Sequence, residues 1–162
     1  MFDERVDFYK FACNSFYKTN GSDSATDVSV IKNNQMYSSF SQDDIECMGF
    51  FSGDAIKSVL DQNDLSIENV KQFRINASHL GERNMVHHDG QGKTLLYCLN
   101  TEWRPEWGGH LMILNDKLDD PTDIIGYKPG RVSIFDGSLP HCVMTPTVMS
   151  PSLRYTLVAQ FR

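Results

Sequence analysis

The sequence has no long hydrophobic run, and none of its apolar stretches approaches the ~20 residues that a membrane-spanning helix needs. Its first residues, M-F-D-E-R-V-D-F, contain neither the basic segment nor the apolar segment that make up a signal peptide. From these two absences we expect a cytoplasmic protein that does not enter a membrane.

Basic residues are outnumbered by acidic ones. The chain has 15 Lys and Arg against 21 Asp and Glu, which gives a formal net charge of −6 and a pI near 5.2. Because a protein that binds nucleic acid usually offers a basic face to the phosphates, this balance argues against nucleic acid as a partner.

Cysteine is scarce and widely spaced, at Cys13, Cys47, Cys98 and Cys142. No C-x-x-C pair is present, so a cysteine-based zinc knuckle is not expected. Together with the missing signal peptide, this spacing predicts free thiols in a reducing compartment, most of them buried.

The order of the residue patterns predicts helices first and strands afterwards. Apolar spacing indicates helices over residues 3–18 and 54–62, and the polar residues 32–45 are a candidate for a flap. A chain of 162 residues suits one domain, 1–162, with a helical support region over about 1–69 and a β core over about 70–162.

The second part of the chain consists of short β-type runs divided by turn residues. Many strands at close spacing favour a sandwich or barrel over a parallel α/β sheet, so the predicted class is α+β or mainly β. The runs are V-K-Q-F-R-I-N-A, N-M-V-H-H-D, K-T-L-L-Y-C-L-N, G-H-L-M-I-L, G-R-V-S-I-F, H-C-V-M-T and L-R-Y-T-L-V-A-Q-F.

The run V-H-H-D-G-Q, residues 86–91, suggests a metal site. Side chains alternate faces along a strand, so His87 and Asp89 share one face and His88 points the other way. The resulting H-x-D pair has little specificity on its own, because motifs this short recur by chance. Two ligands are also too few, so a third must come from elsewhere.

His141 is the best third ligand, because it begins a strand between two strong strands and directly after the breaker-rich turn F-D-G-S-L-P. Two histidines and one carboxylate form the facial triad of non-haem Fe(II) oxygenases. A zinc ion with three protein ligands and a water is the competing assignment.

Arg154 lies inside the otherwise apolar strand L-R-Y-T-L-V-A-Q-F and shares a face with Thr156, Val158 and Gln160. A charge at such a position is costly without a partner. If this face lines a barrel, the guanidinium needs an anion, and a carboxylate matches its two parallel donors. A protein acid or solvent is the alternative partner.

Four features now occur in order: His87-x-Asp89, the strand T-L-L-Y-C-L-N, the segment E-W-R-P-E-W-G-G-H-L, and His141 followed by Arg154. Together they resemble the 2-oxoglutarate- and Fe(II)-dependent dioxygenases, specifically the prolyl-4-hydroxylase-like branch. Y-C-L-N stands where that branch usually has Y-Y-L-N, and W-G-G-H-L where it often has W-G-G-E-L. The resemblance covers about residues 70–162.

The resemblance implies a double-stranded β-helix, a jelly roll of cupin type, with the N-terminal helices packed on one sheet. It implies that His87, Asp89 and His141 ligate Fe(II), and that Arg154 binds the distal carboxylate of 2-oxoglutarate. The implied reaction hydroxylates an aliphatic carbon of a small molecule, peptide or protein, a prolyl residue among the candidates. Succinate and CO₂ are the co-products, and ascorbate is a candidate reductant.

One departure from the branch concerns Cys98. The second tyrosine of Y-Y-L-N helps to hold the cosubstrate carboxylate in many members, and Cys98 occupies that position here, while Tyr97 should face the other way. Thr156 and Asn84 are the candidate replacements. Two functions of other classes stay open at this point: a non-catalytic cupin-like binding module, and a zinc hydrolase that uses the same three residues.

The remaining polar and aromatic features have structural explanations. Trp103 and Trp107 are expected to pack, the glycine pair at 108 and 109 to permit a close backbone approach, and His110 to be structural. The acidic segment 115–123 is expected to be a solvated hairpin tip.

Overall fold

A computed structural model of the chain describes residues 36–82 and 84–162. The predicted helix over residues 3–18 therefore lies outside the described residues. The helices and strands of the described part, in chain order, are β1 (Met36–Ser39), α1 (Gln42–Met48), α2 (Asp54–Asp61), β2 (Val70–Ser78), β3 (Lys93–Cys98), β4 (Leu111–Leu114), β5 (Pro121–Ile125), β6 (Val132–Asp136), β7 (His141–Val143) and β8 (Arg154–Phe161). Short 3₁₀ turns lie at Phe50–Ser52, Ile67–Asn69 and Pro105–Trp107.

The strands form two antiparallel sheets. The major sheet has the order β1-β2-β8-β3-β6, and the minor sheet has the order β5-β4-β7. Neighbouring strands are mostly distant in sequence, which is the crossover pattern of a jelly roll. The predicted double-stranded β-helix is confirmed.

The helices cover the outer face of the major sheet. Alternate residues of β2 and β8, among them Phe73, Ile75 and Leu157, are almost fully buried against Phe50 and Leu60 from the helical segment. Each large apolar side chain removed from water in this way stabilises the fold by roughly 1.5–3 kcal/mol. This layer fixes which face of the major sheet remains for a site.

Local signals set the helix ends. Ser41 caps α1 in a capping box with Asp44, and Gly49 ends that helix at φ 62°, a left-handed conformation that glycine adopts without strain. The second helix begins after Gly53 and runs to Asp61, within one residue of the predicted end. Its apolar side, including Ile56 and Leu60, faces the major sheet.

Three strand predictions need correction. Met36–Ser39, which polar composition assigns to a flap, is instead an edge strand paired with β2, because the backbone of β2 offers it a full antiparallel ladder. Pro121–Ile125, partly assigned to a hairpin tip, pairs with β4 as β5. Residues 84–89 form no strand, and a single bridge between His87 and His141 attaches them to β7.

Two smaller expectations concern helices and thiols. Within residues 36–82 and 84–162, no helix is long and apolar enough to cross a membrane.

Cys98 and Cys142 are buried free thiols and Cys47 is an exposed one. The predominance of burial agrees with the expected packing role of free cysteine.

Candidate metal centre and cosubstrate cavity

His87, Asp89 and His141 converge on one point between the sheets. One ligand atom from each residue lies within 4.8 Å of the others. The Nε2 atom of His87 lies 3.7 Å from Oδ1 of Asp89, and Nε2 of His141 lies 3.4 Å from Oδ2. The side chains of Asp89 and His141 are 6% and 5% exposed, whereas that of His87 is 46% exposed. One side of the cluster therefore opens to solvent.

Backbone pairing brings the two histidines together. The amide of His87 donates to the carbonyl of His141 at 3.0 Å, and the amide of His141 donates to the carbonyl of His87 at 3.0 Å. The amide of Asp89 donates to the carbonyl of Gly137 at 2.8 Å. A Cβ at Gly137 would lie 2.9 Å from the carbonyl oxygen of Gly90, so this close approach requires glycine.

The ring nitrogens of both histidines are oriented by backbone carbonyls. Nδ1 of His87 lies 3.0 Å from the carbonyl of Met85, and Nδ1 of His141 lies 2.8 Å from the carbonyl of Leu139. Because a carbonyl can only accept, each Nδ1 carries a proton and each Nε2 presents its lone pair toward Asp89 in the neutral ring. Histidines that bind a metal usually donate their other ring nitrogen to a carbonyl or carboxylate, as His87 and His141 do here. This orientation therefore suits a metal ion between His87, Asp89 and His141.

Asp89 stays ionised because of its neighbours. Burial alone would raise its pKa, but the contact with the His141 ring and the hydrogen bond from Thr94 together outweigh burial and lower the pKa to about 2. The Thr94 hydroxyl donates to Oδ2 at 2.7 Å. A permanent carboxylate beside two imidazole nitrogens fits a divalent ion such as Fe(II) or zinc.

The other histidines lie outside this cluster. Nδ1 of His88 bonds the carbonyl of Ser138 at 2.7 Å, so this ring is held away from Asp89. His79 bonds the adjacent carbonyl of Leu80 at 2.7 Å. His110 precedes β4 and is absent from the set that converges on Asp89.

Arg154 is the most deeply buried charge of the site, at 2% exposed. Its Nε donates to the carbonyl of Gly109 at 3.0 Å, and its Nη1 donates to the hydroxyl of Thr156. Burial lowers the pKa of Arg154, while the nearby Tyr127, Cys98 and Glu82 act to raise it. Across the described ranges, no carboxylate forms an ion pair with this guanidinium.

Gly109 is required by the position of Arg154. It has φ 78°, and a Cβ there would lie 2.8 Å from Cδ of Arg154. The predicted close backbone approach at this glycine pair is therefore present. Trp103 packs behind it, with Nε1 donating to the carbonyl of Gly108 at 3.0 Å and its ring 4.8 Å from that of Tyr127. Trp103 thus has the packing role that the sequence predicts.

Tyr127 is a site residue that the sequence did not reveal. Its ring centroid lies 4.6 Å from the guanidinium carbon of Arg154. Its hydroxyl is buried, accepts from the amide of Asn100 at 3.1 Å and lies 2.6 Å from the carbonyl of Tyr155. Burial raises its pKa. In the sequence, Tyr127 appears only as an aromatic residue in the turn-like segment G-Y-K-P-G. This pattern does not indicate that its ring contacts Arg154.

Cys98 stands where the resemblance leads one to expect a tyrosine, and its side chain is buried. Cys98 lies opposite Thr156 in the β3–β8 ladder, and Tyr97 faces the helical core, as strand alternation predicts. Thr156 contacts Arg154 directly, whereas Asn84 lines the cavity.

The three converging residues and Arg154 line one cavity between the sheets that is partly open to solvent. Its walls combine apolar side chains from β3, β6 and β8 with polar ones from β1 and β2. The lining residues are Tyr37, Arg74, Asn76, Ser78, Glu82, Asn84, His87, Asp89, Thr94, Leu96, Phe135, His141, Val143, Arg154, Thr156 and Val158. This lining brings a candidate metal-binding cluster and a cationic side chain to the same cavity.

No protein-family model and no curated protein sequence matches the chain. Solved structures do match it. A prolyl-4-hydroxylase from Pseudomonas putida aligns with a TM-score of 0.65 and 18% identity, over 99% of this chain and 87% of that one. A prolyl hydroxylase from Trichoplax adhaerens, in complex with a hypoxia inducible factor oxygen degradation domain peptide fragment, aligns with a TM-score of 0.61 and 17% identity, over 98% and 74%.

An oxidoreductase of the 2OG-Fe(II) oxygenase family from Burkholderia pseudomallei aligns with a TM-score of 0.54 and 16% identity, over 72% of this chain and 56% of that one. Identities this low establish the architecture and leave the chemistry to the site. The chain has the fold shared by the prolyl-4-hydroxylases and the 2OG-Fe(II) oxygenases, with an H-x-D and a distant histidine meeting in its cavity.

Proposed function

We propose that the protein is an Fe(II)- and 2-oxoglutarate-dependent dioxygenase that hydroxylates an aliphatic carbon, with succinate and CO₂ as co-products. We further propose that residues 1–162 act as one oxygenase domain. The observation that carries the proposal is the presence, in one cavity, of a His/Asp/His cluster and a buried guanidinium that forms no direct ion pair with a carboxylate among the described residues, although Glu82 lines the same cavity.

His87, Asp89 and His141 would hold the metal through two imidazole nitrogens and one carboxylate oxygen. This donor set is that of the facial triad, which leaves positions open for cosubstrate and oxygen. The carbonyls of Met85 and Leu139 fix both rings, and the Thr94 hydroxyl fixes the carboxylate. When bound, Fe(II) and 2-oxoglutarate supply the activation of dioxygen needed to attack an unactivated C–H bond.

Arg154 would bind the distal carboxylate of 2-oxoglutarate. A buried guanidinium needs an anion, and its planar donors match a carboxylate. Its position is fixed from three sides by Gly109, Thr156 and Tyr127. Because the same surroundings exclude water, the charge pair formed there would be strong.

Two observations weigh against the alternative functions. A zinc hydrolase built on the same three residues has no use for a buried guanidinium in its cavity. A cupin-like module without activity has no need for ring nitrogens oriented toward one buried carboxylate. The dioxygenase accounts for both features together.

The substrate is proposed from the neighbouring structures and the open side of the cavity. One neighbour holds a peptide fragment of hypoxia inducible factor. A prolyl residue of a peptide or protein is accordingly the leading candidate, with free amino acids and other small metabolites next. Ascorbate as reductant stays a prediction.

One assay tests the proposal. The protein is purified without oxygen and loaded with Fe(II) and 2-oxoglutarate, oxygen is admitted, and succinate is measured. We expect succinate that requires the metal, the cosubstrate and oxygen, and that increases with a true substrate. A protein that binds iron but yields no succinate, alone or with prolyl peptides and amino acids, would contradict the proposal.

A further inference from the structure

A second guanidinium faces the same cavity. Arg74 and Asn76 alternate along β2 with Phe73 and Ile75, which are buried against the helices. Strand alternation therefore places Arg74 on the inner face of the major sheet, with Arg154 and the converging ligand residues. Its side chain is half-buried.

Arg74 has no protein partner for its charge in the part of the chain that the structure describes. Its Nε is buried and makes no hydrogen bond there. No carboxylate among residues 36–82 and 84–162 forms an ion pair with it. A buried donor without a partner costs free energy, so this arrangement indicates a ligand.

Both acids that line the cavity are held elsewhere. Asp89 contacts the two histidines and Thr94. Glu82 accepts from the amide of His79 at 3.2 Å, and burial raises its pKa even though hydrogen bonds and nearby cations oppose this effect. The partner of Glu82, His79, directly follows Ser78, the last residue of β2. Ser78 is four residues from Arg74, and the rise of a strand makes that distance about 13 Å along the backbone.

The sheet register separates the two guanidinium groups. Arg74 lies opposite Val158 on β8, and Val158 lies opposite Leu96 on β3. Arg154 lies opposite Ser78, at one end of the same strand pair, whereas Arg74 lies in its middle. On β3, Leu96 is two residues from Thr94, whose hydroxyl donates to Asp89. Arg74 is therefore in the cross-strand row next to that of Thr94, close to the proposed metal ligands and farther from Arg154.

We propose that Arg74 binds a carboxylate of the substrate, so that the enzyme selects substrates that carry an acid group near the carbon to be hydroxylated. This inference rests on the proposed function, in which Arg154 takes the cosubstrate carboxylate. Once that pair forms, Arg74 is the remaining guanidinium among the described residues that line the cavity. Asn76 on the same face and Tyr37 opposite it on β1 line the cavity beside Arg74 and supply further polar groups.

The test uses anaerobic protein loaded with Fe(II) and 2-oxoglutarate, and isothermal titration with two pairs of probes. L-proline is compared with L-prolinamide, and a capped Glu-Pro peptide with its Gln-Pro counterpart. We expect the acid of at least one pair to bind about tenfold to hundredfold more tightly, the range for a charge-assisted contact. The pair that shows the preference identifies the carboxylate as that of a free amino acid or of a peptide side chain.

Three variants assign that preference. Arg74→Gln should abolish it, and Arg74→Lys should retain part of it because the charge remains but the planar fork is lost. Lys71→Gln is the matched control: it removes one positive charge from an exposed position of the same strand and should keep the full preference.

The outcomes separate the inference from the function on which it rests. Failure to bind Fe(II) and 2-oxoglutarate would overturn the proposed function. Normal loading with no preference for either acid in the natural protein would overturn the role of Arg74 alone. A preference that persists in Arg74→Gln would overturn it as well.

Discussion

The guanidinium carbon of Arg154 lies 4.6 Å from the centroid of the Tyr127 ring. Arg154 begins β8, and Tyr127 lies in the loop between β5 and β6. The ring lies behind the guanidinium, and the cavity lies in front of it. Tyr127 thus supplies an aromatic contact to the proposed cosubstrate anchor in a chain that has Cys98 where the family resemblance leads one to expect a tyrosine.

Tyr127→Leu should weaken 2-oxoglutarate binding about tenfold or more, because a desolvated cation–π contact contributes about 2 kcal/mol. Tyr127→Phe should keep most of the affinity but lower the free energy of unfolding by about 1–3 kcal/mol, since the buried amide of Asn100 loses its acceptor. Cosubstrate titration and urea unfolding measure the two effects. Equal cosubstrate affinities in the Leu and Phe variants would show that the ring does not orient Arg154.

Asp89→Ala and His141→Ala should lose metal-dependent succinate formation, because each removes a ligand and leaves two. His88→Ala should keep most of the activity, since its ring bonds Ser138 and is turned away from Asp89. Iron content and succinate release measure the outcome. If His88→Ala and His87→Ala lose activity equally, the choice of ligands is wrong.

Arg154→Ala should weaken 2-oxoglutarate binding by about a hundredfold or more, the loss expected when a buried charge pair loses one partner. Iron binding should persist, because the three ligands lie on other elements. Metal titration and cosubstrate titration of the same variant separate these effects. An unchanged cosubstrate affinity would exclude the anchoring role.

Gly109→Ala should disturb the same anchor through the backbone. The new Cβ would lie 2.8 Å from Cδ of Arg154, at a residue with φ 78°. Gly81→Ala is the matched control, since Gly81 has φ 82° but nothing within 4 Å of a Cβ. Both variants should lose about 1–2 kcal/mol of stability from backbone strain. Only Gly109→Ala should also lose cosubstrate affinity, and equal affinities in the two variants would contradict the steric argument.

Acid should destabilise the metal-free protein through Asp89. Its pKa is about 2 when folded, against an ordinary value of 3.8, so the ionised form favours folding. The contribution, about 2 kcal/mol, is fully present above the ordinary value and is lost as pH falls from about 4 toward 2. Urea unfolding of the natural protein and of Asp89→Asn, with a chelator present, should give curves that converge over this range. A difference that stays constant from pH 6 to pH 2 would count against this assignment.

Strand alternation in the sequence was enough to group most residues of the candidate site. It places Arg154, Thr156 and Val158 on one face. It also groups His87 with Asp89 and apart from His88, and this grouping holds although a single bridge takes the place of the predicted strand. The helix ending at Asp61 and most strands of the core were also predictable, because capping residues and turn residues act locally. These signals need only the few residues on either side.

Other parts depended on contacts that no local pattern reveals. The edge strand Met36–Ser39 looks polar, and only the ladder offered by β2 makes it a strand. The same holds for the carbonyls that orient the histidines and for the ring of Tyr127 behind Arg154. It also holds for Arg74, which has no ion-pair partner among residues 36–82 and 84–162.

The sequence by itself determined which side chains share a face, because the two-residue period of a strand is a property of the backbone. The tertiary structure alone decided which faces meet: that His141 lies against His87 across more than fifty residues of chain, and that two guanidinium groups line one cavity. Sheet pairing and the packing of one sheet on the other set those distances, and both depend on the summed burial of residues throughout the fold.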